Sequence, residues 1–261
     1  MSEAPTTIRV ETRGPIATVT LARPDVRNAF NEVLIAEVQQ AFRSLGEADG
    51  VRVVVLTGEG PTFCAGADVQ WMKQSKDRTE KENAADARAM AEMFRAIDEC
   101  PKPVLGQVRG AALGGGSGLV ACCDIVVAAE GTQFGFTEVR LGIVPANIST
   151  FVLPKIGARA ARRYFLTGER FDAARAQEIG LVHEVVPEPA LASTVEGIAG
   201  EILKCGPAAV ATAKALIREG LALPRDAAIE FTARTIARVR VSPEGQEGLA
   251  AFLEKRKPRW S

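Results

Sequence analysis

Two short stretches of very small residues hold the chemistry this chain is equipped to do. "FCAGAD", Phe63 to Asp68, and "ALGGGSG", Ala112 to Gly118, each follow an apolar run and lead toward a helical segment. Glycine is disfavoured inside regular structure by roughly 0.5–1 kcal/mol relative to alanine. Such runs therefore mark unusual dihedrals, or a ligand brought against the main chain. Small side chains let a carbonyl oxygen come within hydrogen-bond range of backbone N–H groups, and a helix start adds partial positive charge. Two N–H groups converging on one oxygen make an oxyanion hole, each donor contributing about 3 kcal/mol in sites of that kind. Two plain tight turns would use the same residues, so both readings stay open at this point.

Competing chemistries fit less well. Gly116-x-Gly118-x-x-Ala121 follows a strand as a dinucleotide fingerprint would, with Glu130 at the end of the next strand. Only about six residues separate Gly118 from that strand, whereas a parallel crossover needs ~10–12. Ser117 stands in G-G-S-G-L rather than G-x-S-x-G. The sole histidine, His183, lies in the alternating "LVHEVV" and reads as structural. No G-K-[ST] follows the glycines, which excludes a P-loop. One histidine and five cysteines without CxxC spacing give no expectation of a metal site. The odd number of thiols fits a reducing compartment.

Composition sets the frame. The 261 residues are 47% hydrophobic and 25% charged, as in an ordinary globular protein. Thirty-two basic side chains balance thirty-two acidic ones, so no nucleic-acid or anionic-membrane partner is expected. The opening "MSEAPTTIRV" has neither the basic nor the apolar part of a signal peptide, and no apolar run reaches ~18 residues. A cytoplasmic protein is the expectation.

The elements that must position the two loops follow from periodicity. "TIRVETRG" and "IATVTLA" alternate around a Gly14-Pro15 turn. Asn31 to Ala48 carries a helical stripe of Leu34, Val38, Ala41, Phe42 and Leu45, with Asn31 as its cap. "VRVVVLTG", "KPVLGQV" and "DIVVAA" read as strands, and "TQFGFTEVRLGIVP" as strand and loop. Lys73 to Lys81 reads as a solvated, charge-dense segment. From Gly157 the chain turns mostly helical, with Asp172 capping one helix and Ser242-Pro243 opening the last. An α/β core over 1–190 and a helical C-terminal region over 191–261 are expected.

"FCAGADV", "GAALGGGSGLVACCDIVVA", "TQFGFTEVRLGIVP", "FLTGERFDAARAQEIGLVHEVV" and "EGLAAFLEKRKP", in this order and spacing, resemble the enoyl-CoA hydratase/isomerase (crotonase) family over nearly the whole chain. The resemblance implies a crotonase-like spiral of ββα units in two roughly perpendicular sheets, with a helical C-terminal trimerisation region. It implies a homotrimer or homohexamer acting on an acyl-CoA thioester. Coenzyme A then enters as part of the substrate, and no separate cofactor is needed. The resemblance makes the Ala65 and Gly115 N–H groups the donors to the thioester oxygen, with Glu138 as general acid–base. It places Ala67, Asp68 and Gly114 beside the substrate. Arg27, Phe252 and Lys255 fall at positions associated with coenzyme A, the last two reaching a neighbouring subunit's.

Hydratases of this family that use two carboxylates carry the first where this chain has Gly118. The resemblance to the methylglutaconyl-CoA hydratase-like branch suggests that Gly118 leaves room for a branched acyl group, with leucine degradation as the setting. Δ3-Δ2 enoyl-CoA isomerases share the missing glutamate and are the alternative reaction; a non-catalytic thioester- or RNA-binding relative is the third. Trp71 and Met72 read as core or lid packing. Ser117 and Asn147 are candidates for a second polar group near the water.

Overall fold

Val53, Val54, Val55 and Leu56 present no polar face, and the strand they form is buried on both sides. In the computed structural model, which describes residues 5–75, 77–220 and 222–260, this strand lies inside a six-stranded sheet. In chain order the strands are β1 (Ile8–Arg13), β2 (Ile16–Leu21), β3 (Val53–Gly58), β4 (Val104–Val108), β5 (Ala111–Leu113), β6 (Ile125–Ala129), β7 (Gln133–Gly135), β8 (Arg170–Asp172) and β9 (Glu184–Val186). The large sheet runs β1-β2-β3-β4-β6-β9. Its first pair is an antiparallel hairpin, and each later pair is parallel. A small second sheet, β5-β7-β8, carries the site.

The helices are α1 (Glu32–Glu47), α2 (Val69–Ser75), α3 (Glu80–Asp98), α4 (Gly115–Cys122), α5 (Ala146–Thr167), α6 (Ala173–Glu178), α7 (Leu191–Leu203), α8 (Pro207–Gly220), α9 (Arg225–Val241) and α10 (Pro243–Leu253). The caps read from the sequence are found in place. Asn31 accepts from the Leu34 N–H at 2.9 Å, Asp172 from Arg175 at 2.8 Å and Ser242 from Gly245 at 3.0 Å. A capping box of Thr79 and Glu82 starts α3.

α5 departs from expectation. "PANIST" reads as loop, yet the helix begins at Ala146, because Ile148, Val152 and Ile156 recur every four residues and are buried. Gly157, with φ +68°, breaks the helix rather than starting it.

One face of the large sheet packs on α1, α3, α4 and α5, through residues such as Leu34, Phe42, Phe94 and Val152. α7, which opens where the C-terminal region was drawn, covers the other face: Leu191, Val195 and Ala199 lie on Val53, Val55, Leu105 and Val127. His183 is structural, as expected. Its Nδ1 accepts the Val126 N–H at 3.0 Å and stitches the start of β9 to β6.

Beyond α7, a charged pair ties the C-terminal helices to this core. Lys214 Nζ on α8 lies 2.7 Å from Asp124 Oδ2, which also accepts the Val104 N–H. Burial pushes the Asp124 carboxyl above its ordinary range, although the Lys214 charge and hydrogen bond pull it down. Removing Lys214 alone strands a half-buried carboxylate. Lys214→Ala is expected to lower unfolding free energy by about 2–4 kcal/mol in urea titrations, with most of it recovered in Asp124→Asn/Lys214→Met. An unchanged midpoint for the single variant would mean that the pair adds nothing.

Candidate active site

The two small-residue loops meet because one extends the sheet of the other. Cys64 donates its N–H to Ala111 and accepts from the Leu113 N–H, both at 3.0 Å, so "FCAGAD" runs beside β5. The approach is too close for side chains. A Cβ at Gly116 would lie 2.4 Å from the Cys64 carbonyl oxygen, and one at Gly115 2.2 Å from Phe30 Cε2. Gly114 holds φ +52°, and its N–H donates to Gly135 at 2.8 Å. Burial pushes the Cys64 thiol up to about 12, so it is no nucleophile. Ser117 is fully buried. Its Oγ donates to Ala112 O at 2.6 Å, which removes it as a group near a water.

Donor geometry corrects one expectation. The Ala65 N–H donates to the Arg27 carbonyl at 3.0 Å and is not available to a ligand. Two residues on, the chain pairs with Phe30 on either side of Ala67: Phe30 donates to Gly66 O, and Asp68 donates to Phe30 O. The Ala67 N–H between them has no acceptor among the described residues. Gly115 opens α4, and its N–H is likewise without a partner there, as the first N–H groups of any helix are. The available pair is thus Ala67 and Gly115. Both line a cavity of about 360 Å³, with Gly114 and Ala65 also in its wall.

Glu138 stands in the same wall, on the single turn Glu138–Leu141 that follows β7. A Cβ on Gly114 would come within 3.2 Å of its Oε1, so the bare glycine is what lets the carboxylate lie over the loop. Oε2 is shielded from solvent and has no hydrogen-bond donor among the described residues. Burial therefore raises the carboxyl above the ordinary glutamate value, its own backbone N–H offsetting part of the rise. A carboxylate with few donors, beside the apolar side chains of Phe30, Trp71, Met90, Ile143 and Val144, is a good proton acceptor. Asp86, also in the wall, is ion-paired with Arg78.

A family model described as enoyl-CoA hydratase/isomerase matches residues 11–261. The chain belongs to that family. It is 35% identical over 252 residues to a protein named crotonyl-CoA hydratase from Syntrophomonas wolfei, covering 96% of each. It is 34% identical to a protein named putative enoyl-CoA hydratase from Thermus thermophilus, covering 97% of this chain and all of the other. The crystal structure of an enoyl-CoA hydratase from Shewanella pealeana superposes with a TM-score of 0.95 at 38% identity, covering 98% and 96% of the two chains. The crotonase-like fold read from the sequence is confirmed.

Other site expectations fare unevenly within this enoyl-CoA hydratase/isomerase frame. Gly118 is buried, does not line the cavity and leaves no room. A Cβ there would meet Ile148 Cγ2 at 2.4 Å and Phe94 Cζ at 3.0 Å, so the space of the absent glutamate is already filled from α5 and α3. Asp68 is buried and outside the cavity wall. Its Oδ2 accepts from Arg23 at 2.8 Å, and its Oδ1 accepts from the Gln70 N–H at the start of α2. Burial would raise that carboxyl, but these bonds and the Arg23 charge hold it below its ordinary value. It is an internal ion pair that shapes the loop. Arg27 is exposed in a left-handed turn, its guanidinium without a protein partner among the described residues. Phe252, 82% exposed, and Lys255 lie at the end of α10, outside the cavity of their own chain. Trp71 packs on the core as expected, but it and Met72 also line the cavity.

Sequence reasoning missed Phe30, which closes over Gly115, and Ile148, which fills the space at Gly118. The four-residue spacing of Ile148, Val152 and Ile156 was the signal for the second. Gly118→Ala is expected to cost about 1–3 kcal/mol of stability by overpacking. The cost should fall by at least about half in an Ile148→Ala background, read as a double-mutant cycle of thermal midpoints. Equal costs in both backgrounds would mean that Ile148 does not occupy that space.

Proposed function

We propose that this chain hydrates an enoyl-CoA thioester, with Glu138 as its general acid–base. Glu138 carries the reading: it is one raised-pKa carboxylate, in the same cavity wall as the two residues, Ala67 and Gly115, whose N–H groups are free. The thioester oxygen sits between the Ala67 and Gly115 N–H groups. There the partial charge of the α4 start adds to the two hydrogen bonds as the enolate forms. Arg27 neighbours a phosphate of coenzyme A. Phe252 and Lys255 serve the site of a neighbouring copy in a trimer or hexamer. The apolar side chains exposed on α8 to α10, among them Ile217, Ile229, Val241 and Leu253, support such an assembly.

The resemblance extends the acyl group to a branched, 3-methylglutaconyl type. Gly118 no longer supports this, since Ile148 takes its space. Support comes instead from the apolar wall of Met72, Met90, Ile143 and Val144, which accepts a methyl branch. Among the described residues no cationic side chain lines that wall to meet a distal carboxylate. One carboxylate also suffices to carry a proton between Cα and Cγ, so a Δ3-Δ2 isomerase is the second reading.

Loss of enoyl absorbance with crotonyl-CoA and 3-methylglutaconyl-CoA tests the reaction. Glu138→Gln is expected to lower kcat by about 10²–10⁴-fold. The base must be ionised, so activity should fall as pH drops through a midpoint above the ordinary glutamate value of about 4.3. Turnover of a β,γ-enoyl-CoA without water addition to either conjugated substrate would replace the hydratase with the isomerase.

A further inference from the structure

Adding water to a carbon–carbon double bond asks two things of a site. One group must accept a proton, and another must aim the remaining O–H so that the oxygen lone pair faces the carbon. Glu138 supplies the first. A second carboxylate from position 118 is impossible here, because Ile148 and Phe94 fill that space.

Asn147 is the residue before Ile148, on the first turn of α5, and it lines the cavity with Glu138. Its Nδ2 donates to the Ala87 carbonyl on α3 at 3.0 Å. A carbonyl only accepts, so this bond fixes which end of the carboxamide is which. The Asn147 oxygen accepts from no group among the described residues. An amide oxygen is an uncharged acceptor, so it takes an O–H without repelling the Glu138 carboxylate or raising its pKa by charge. Among the other polar groups of the wall, Asp86 is paired with Arg78. Asn83, whose Nδ2 likewise donates to a carbonyl, that of Arg78, and Thr137, beside Glu138, are the rivals.

We propose that Asn147 Oδ1 accepts the second O–H of the attacking water and, after addition, the hydroxyl of the 3-hydroxyacyl product. The assignment rests on the hydratase reading. Water oxygen bonds to Cβ while one of its protons passes to Glu138. The π electrons move onto the thioester oxygen, held by Ala67 and Gly115. Glu138 then returns that proton to Cα as the carbonyl re-forms, and the other proton stays on the new hydroxyl against Asn147. One water is added, and no oxidant or reductant is needed.

The test separates aiming the water from moving the proton. Exchange of the Cα hydrogen of butyryl-CoA in D2O needs Glu138 and the oxyanion donors but no attacking water. Asn147→Ala is expected to lower kcat for crotonyl-CoA hydration about 10- to 100-fold. Its KM and its butyryl-CoA exchange should stay within about threefold of wild type, and Thr137→Val and Asn83→Ala should each hydrate at about the wild-type rate. Equal falls in hydration and exchange would reduce Asn147 to a structural residue. Unchanged hydration, or a loss confined to Thr137→Val or to Asn83→Ala, would overturn the assignment outright. A wild type that exchanges the Cα hydrogen yet hydrates neither crotonyl-CoA nor 3-methylglutaconyl-CoA fails at the earlier step, and takes the role of Asn147 with it.

Discussion

The pairing of Cys64 with Ala111 and Leu113 is the constraint on which the rest of the site depends. It draws one loop of the large sheet's layer against a strand of the small sheet. At that distance two successive residues must lose their side chains, Gly115 to Phe30 and Gly116 to the Cys64 carbonyl. The same contact buries the Cys64 thiol and leaves the Ala67 and Gly115 N–H groups in one cavity wall. Backbone donors placed by a strand ladder need no reorganisation when charge develops on a ligand oxygen, which is where electrostatic catalysis gains most. The glycine run is therefore a packing requirement and a chemical device at once.

Glu138 depends on the same backbone. It lies over Gly114 because that residue has no Cβ, and it ends in a wall that offers few hydrogen bonds. Desolvation by burial is what raises its proton affinity. The acids nearest in role are taken elsewhere: Asp68 by Arg23, Asp86 by Arg78. The basicity of the site is thus set by burial rather than by like-charge repulsion, and it survives the absence of a second carboxylate.

Much of this was legible in the residues. β-Branched runs gave the central strands, side-chain caps gave the helix starts, and small-residue loops gave the oxyanion candidates. What was not legible depended on through-space neighbours. Ala65 and Ala67 are alike in sequence, and only the Arg27 carbonyl, brought round by a left-handed turn, separates the paired N–H from the free one. Asp68 looks like a ligand-side carboxylate until Arg23, 45 residues away, is seen beside it. Gly118 looks like space until Ile148 fills it. Absence of a side chain in a sequence does not distinguish an opening from a contact.

That last distinction changes what the missing glutamate means. Were position 118 open, the chain would be a two-carboxylate site with one group deleted and a pocket enlarged by its loss. Because Ile148 reaches into that space, α4 and α5 are packed for glycine there, and a carboxylate could return only if α5 changed as well. Positions 118 and 148 therefore form a single unit of variation. The residue before 148 is carried along with it, since the turn of α5 that buries Ile148 also sets Asn147 in the cavity wall. One helix thus closes the place of the second acid and brings a neutral acceptor to the same cavity. Its deciding feature is the helix start at Ala146, which puts Asn147 and Ile148 together on the first turn.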